Sequence, residues 1–134
     1  MIAKPLTQEA LAAISTLGLA YIGDGVYELM VRTWLVSNGG LQAGAMHKAA
    51  VSYVKASAQA KAVKAIMDHL TPEEMALYKR GRNTKVGSVP QGASLGDYHA
   101  ATGLEALFGY LYLSGNTDRA KQLFAHIMED DTCH

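Results

Sequence analysis

With 134 residues, 49% of them apolar, and three prolines, the chain is long enough to bury one core and too apolar to be disordered. Twelve basic and twelve acidic side chains cancel, which excludes a chain-wide attraction to polyanions and leaves local charge to act. No apolar run reaches the roughly 18–20 residues of a membrane span, the opening MIAKPLTQEA lacks a signal-peptide centre, and a single Cys133 excludes an internal disulfide.

Strand signals are scarce and helical ones plentiful, so the expected architecture is an all-α bundle. A first helix over 7–17 follows Pro5, with Thr7 as N-cap, and Gly18 ends or kinks it. A long helix over 19–37 comes next, closed by Asn38-Gly39-Gly40. Its first half is apolar nearly all round, the pattern of a central helix. Residues 43–69, rich in Ala, Lys and Gln, favour one helix. Thr71-Pro72-Glu73-Glu74 then places Thr at N-cap, Pro at N1 and Glu at N3 of a helix running to about Arg80. Four glycines and a proline make 81–96 a loop. A second apolar helix covers 97–114, and Asn116 caps a last one over about 117–129. No repeat or linker divides the chain, so residues 1–134 are expected to form one domain with a basic loop at about 79–96.

Two acids stand out. Asp24 lies in LGLAYIGDGVYE, where only Glu28 is also charged, and Glu105 is the only carboxylate, Lys or Arg in HAATGLEALFGYLYLSG. A carboxylate buried without a partner is costly, so both are expected to have a binder; a divalent cation held between two helices supplies one. The plainer reading exposes Asp24 at a helix kink and Glu105 on a wet stripe. Carboxylate-only coordination suits Mg²⁺ or Mn²⁺. The five histidines, at 47, 69, 99, 126 and 134, are too scattered to favour zinc or copper. Gly23 and Gly25 flank Asp24 at a cost of up to ~1 kcal/mol each in a helix, which points to a helix, a partner subunit or a ligand close to the backbone. Gly103, Ala106 and Gly109 around Glu105 point the same way. Glu28 is either a further ligand or, in the favourable i, i+4 order, an ion-pair partner of Arg32; the ion pair is preferred. Tyr110 and Tyr112 read as core. No phosphate-cradling glycine loop and no Ser/His/Asp grouping is visible, so no organic cofactor site is expected.

Charge is unevenly spread. Residues 48–85 hold eight basic side chains against three acids, a net +5, and Lys79-Arg80-Gly81-Arg82-Asn83-Thr84-Lys85 places four cations at a helix end. A helix dipole favours cations there, but four exceed that need, and contact with phosphates is the preferred reading. His47 and Lys48 extend this surface.

These segments resemble the ribonuclease III family. LAYIGDGVYE is similar to its helix with the core Glu-Phe-Leu-Gly-Asp, residues 41–60 to the helix that follows, and TGLEALFGYLYL to its Asp-x-x-Glu-Ala-Leu-x-Gly helix. The short chain, the KRGRNTKVGSVP loop and the absence of a following double-stranded-RNA-binding domain resemble the Mini-ribonuclease III branch. The resemblance implies an all-α, cytoplasmic, homodimeric endoribonuclease that cuts double-stranded RNA with Mg²⁺, Mn²⁺ being a possible substitute. It implies 5′-phosphate and 3′-hydroxyl ends, a role in maturing the large-subunit ribosomal RNA precursor, and a ribosomal protein as a further candidate partner; no membrane is involved. By position, Asp24 and Glu105 are then the catalytic, metal-holding carboxylates, and His47, Lys48, Lys79, Arg80, Arg82, Asn83 and Lys85 the candidate RNA contacts. The chain departs from the pattern at Ala20 and Thr102, where the family has acids, so one firmly held cation is expected, with Thr102 available to orient a water. The rival reading is a non-catalytic RNA-binding or ribosome-assembly protein on the same fold.

Overall fold

The computed structural model describes residues 4–38, 42–85, 89 and 92–132, with side chains as far as 129. Among these residues there is no strand. The elements are α1 (Gln8–Ala12), α2 (Thr16–Asn38), α3 (Ala43–Val54), α4 (Ala56–Ile66), a 3₁₀ turn (Met67–His69), α5 (Pro72–Arg82), α6 (Leu95–Leu113) and α7 (Thr117–Thr132).

Most of these follow from local chemistry. Thr7 caps α1 by accepting from the Ala10 amide. Ser15 accepts from the Gly18 amide, so α2 begins before Gly18 and the expected stop there does not occur. In α5 the Thr71 hydroxyl accepts from the Glu74 amide at 3.1 Å while the Glu74 carboxylate accepts from the Thr71 amide at 2.9 Å, the reciprocal capping read from the sequence. Ser94 caps α6 by accepting from the Asp97 amide, and that cap starts the helix two residues ahead of the expected Asp97. The basic loop is correspondingly shorter than 79–96: Lys79, Arg80 and Arg82 lie in the last turn of α5, and residues 86–88, 90 and 91 are outside the described set.

The stretch 43–69 is not one helix. Lys55 takes an extended backbone, φ −63° and ψ 155°, ending α3 and opening α4. Neither glycine nor proline marks this break, so helix propensity alone reads through it. An extended residue frees carbonyls of the preceding turn, and the Gln59 side-chain amide donates to one of them, the Val54 carbonyl, at 2.8 Å.

α6 is the axis of the molecule, with α2, α4, α5 and α7 packed around it. Its residues Leu104, Leu107 and Phe108 are fully buried. Tyr27 of α2 meets Phe108 edge-on at 5.3 Å and Phe124 of α7 at 5.7 Å, an arrangement favoured by the ring quadrupoles. A second, smaller cluster gathers Leu11, Leu19, Ala20, Ala106 and Leu113, with Tyr110 and Tyr112 packed partly buried against it. α7 is tied to α5 by Arg119, which grips both Glu74 oxygens at 2.8 Å and also donates to the His69 carbonyl. That guanidinium holds the Glu74 carboxyl below its ordinary range.

Candidate active site

The site begins with the contact between α2 and α6. A β-carbon on Gly23 would run into the Glu105 carbonyl, and one on Gly109 into the Leu19 carbonyl. Gly23 faces Glu105 where Leu19 faces Gly109, so the two helices cross antiparallel with backbones touching. Of the partners open for the glycines beside Asp24, a neighbouring helix is therefore the one Gly23 meets. Gly25 meets nothing within 4 Å.

This crossing brings Asp24 and Glu105 together. Their carboxyl groups are hydrogen-bonded, and Glu105 is pushed up to about 8, first by burial and then by the Asp24 charge, against the opposing pull of the Gln59 hydrogen bond. The expectation that both acids are buried holds only for Glu105, and there in part. Asp24 is exposed: with Gly23 turned into the crossing, the next residue lies about 100° round the helix, on the rim.

Behind Glu105 stands a residue the sequence reading passed over. Gln59, at 3% exposure, shares its amide nitrogen between the Val54 carbonyl at 2.8 Å and Glu105 Oε2 at 3.3 Å. A signal for it was present: Gln59 falls in phase with Ala62, Val63 and Ile66, the buried face of α4, and a polar side chain on an apolar face asks for a partner. A groove of about 440 Å³ opens on Glu105, with Lys55, Gln59, Asp97, Tyr98 and Ala101 in its walls. Lys55 is exposed and brings a cation to this groove that the sequence reading counted only in the basic stretch.

Other expected residues take different roles. Glu28 lies 3.7 Å from Arg32 in the i, i+4 ion pair. Ala20 is buried in the smaller apolar cluster. Thr102 is buried and its hydroxyl donates to the Tyr98 carbonyl at 3.0 Å, which commits its proton to its own helix and leaves its lone pairs as the part that could orient a water.

The basic candidates lie on or just beyond two separate helices. His47 and Lys48 are exposed on α3, which packs against α2 and α4; Lys79 and Arg80 are exposed on α5, which packs against α6 and α2. Arg82 is half-buried, 5.7 Å over the Tyr78 ring, and donates to the Asn83 side chain. Lys85 is exposed just beyond the helix.

Among the described residues no three of His, Cys, Asp and Glu gather into a metal-holding group. The Asp24–Glu105 pair nevertheless fits a hard divalent cation. Its charged donors are carboxylate oxygens, and burial together with the neighbouring Asp24 charge, which raise Glu105, are what a bound dication would offset.

Residues 17–116 match the profile of the ribonuclease III domain. The chain is 47% identical to a protein named Mini-ribonuclease 3 from Thermoanaerobacter sp. (strain X514), over 88% of this chain and 83% of that one. It is 40% identical to a Mini-ribonuclease 3 from Clostridium tetani (strain Massachusetts / E88), over 90% and 80%. Its fold is similar to a crystal structure of a protein from Fusobacterium nucleatum, with a TM-score of 0.81 and 27% identity, covering 90% of this chain and 97% of that one.

Proposed function

The chain belongs to the ribonuclease III family of endoribonucleases, and from that premise we propose that it cuts double-stranded RNA with a divalent cation held by Asp24 and Glu105. Mg²⁺ is the proposed ion, with Mn²⁺ as a substitute. The observation that carries this reading is the antiparallel α2–α6 crossing, which sets an exposed carboxylate against a half-buried one that resists ionisation.

When bound, the cation supplies Lewis-acid activation of the scissile phosphate and of an attacking water. Asp24, on the rim, is the ligand that meets incoming cation and RNA. Glu105 would close the inner side of the site as the second carboxylate ligand. Gln59 keeps an N–H on Glu105 throughout, so the ionised carboxylate retains a hydrogen-bond donor. Lys55 places positive charge in the groove wall, where phosphate oxygens would lie.

A-form RNA exposes backbone and 2′-hydroxyls rather than readable base edges in its deep groove. Exposed Lys79, Arg80 and Lys85 supply backbone attraction that weakens with salt. His47 and Lys48, on a separate element, belong to a second contact. The products are a 5′-phosphate and a 3′-hydroxyl.

The working unit is a homodimer. Leu17, Tyr21 and Leu29, spaced with Gly25 at intervals of four along α2, are 45%, 82% and 51% exposed, an apolar stripe of the kind that marks an interaction surface. The large-subunit ribosomal RNA precursor is the proposed substrate in a cytoplasmic setting, with a ribosomal protein as an accessory; no described helix is long and apolar enough to cross a membrane. The pairing of Asp24 with Glu105 favours this reading over a non-catalytic RNA-binding protein, which has no use for two crowded carboxylates. The test is incubation of purified protein with a long RNA duplex: cutting in Mg²⁺, none after chelation, and recovery on re-addition are expected, whereas RNA binding without cutting supports the rival.

A further inference from the structure

Gln59 has two functions in one side chain. Its amide nitrogen bridges the Val54 carbonyl and Glu105 Oε2, and its own Oε1 is buried without a hydrogen-bond partner. The amide cannot be reversed, because that would set its oxygen against the carbonyl and one carboxyl oxygen it now donates to. Leaving Oε1 unpaired carries a penalty, so the two bonds made by the nitrogen fix the orientation. In an unbroken helix the Val54 carbonyl would accept from residue 58; the extended Lys55 leaves it open to the Gln59 side chain. The break between α3 and α4 thereby anchors the amide that reaches Glu105.

Resting on the carboxylate-pair reading above, we propose that Gln59 is a positioning residue: anchored on the Val54 carbonyl, it holds the Glu105 side chain in the orientation that meets Asp24, so that the pair is preformed for a divalent cation. The choice of side chain is specific. A glutamate has rotamer freedom that must be removed before it can serve as a rigid ligand. Lys or Arg at position 59 would orient it too, but would cancel the negative charge the cation needs. A third acid would repel Glu105. A neutral donor orients the carboxylate and leaves its charge available.

The test is Gln59→Met, which keeps the length and removes the donor, with Mn²⁺ affinity measured by electron paramagnetic resonance without RNA. Affinity is expected to fall about tenfold. The Mn²⁺ concentration giving half-maximal duplex cleavage should rise by a similar factor, with the rate at saturating Mn²⁺ recovering to within a few-fold. A lowered denaturation midpoint with unchanged Mn²⁺ affinity would overturn the proposal, since capping Val54 would then be the whole role. If Gln59→Met does not fold, the wild-type protein decides: the Gln59 side-chain amide resonances must shift as Mg²⁺ is titrated, and unmoved resonances overturn the proposal. Asp24→Asn, measured alongside, separates the two claims. Full Mn²⁺ affinity in Asp24→Asn sinks the carboxylate pair and this proposal with it; lost affinity there, with none lost in Gln59→Met, sinks this proposal alone.

Discussion

Glu105 binds its proton more tightly in the fold than in the unfolded chain, and this has a consequence for stability. Its value rises from an ordinary 4.5 to about 8, mainly through burial and then through Asp24. Between those limits the folded state keeps a proton the unfolded state has released, so stability falls as pH rises. The contribution is complete below about pH 4.5 and gone above about pH 8. The metal-free protein is therefore expected to lose melting temperature from acid to mildly alkaline pH, and Glu105→Gln to flatten that slope; equal slopes in both proteins would show that Glu105 is not the titrating group. Saturating Mg²⁺ should flatten the wild-type slope as well. The identity of the acids was legible because each stands nearly alone in an apolar run. The exposure of Asp24 was not, because it depends on the phase at which α2 crosses α6, nor was the partnership with Gln59, which depends on how α4 packs against α6.

That crossing belongs to the scale of elements. Gly23 is the contact point, and its replacement is expected to do more than cost packing. In Gly23→Ala the new methyl meets backbone rather than a side-chain tip, so the helices must separate, at about 3 kcal/mol or more. Separation also pulls Asp24 away from Glu105. Gly44→Ala, in an exposed turn of α3 with nothing within 4 Å, should be neutral or stabilising by up to ~1 kcal/mol. Chemical denaturation of both variants checks the contrast; equal, small effects would contradict the close approach. Helix positions were readable from caps such as Thr71 with Glu74 and from apolar periodicity. The break at Lys55 was not, because it is stabilised by tertiary contact, through Gln59, and carries no breaker residue of its own. The early start of α6 was readable in principle, since Ser94 and Asp97 have capping spacing.

At the scale of the whole molecule, zero net charge conceals an uneven distribution: Asp24 and Glu105 meet at the α2–α6 crossing, while exposed cations lie along α3 and in the last turn of α5. The apolar stripe on α2 lies on the same helix as Asp24, so a partner docked there would set two sites at a fixed separation. Sedimentation analysis is expected to find a dimer, and Leu29→Arg to shift it to monomer; a monomeric wild type would contradict the proposed interface. The central claim is narrower, that Asp24 and Glu105 act as one metal-holding catalytic pair. Single-turnover cleavage of a long RNA duplex at saturating Mg²⁺, compared among wild type, Asp24→Asn and Glu105→Gln at matched helical content, tests it most directly. Each variant is expected to lose about a thousandfold or more in rate, and a rate within a few-fold of wild type in either one would contradict the account.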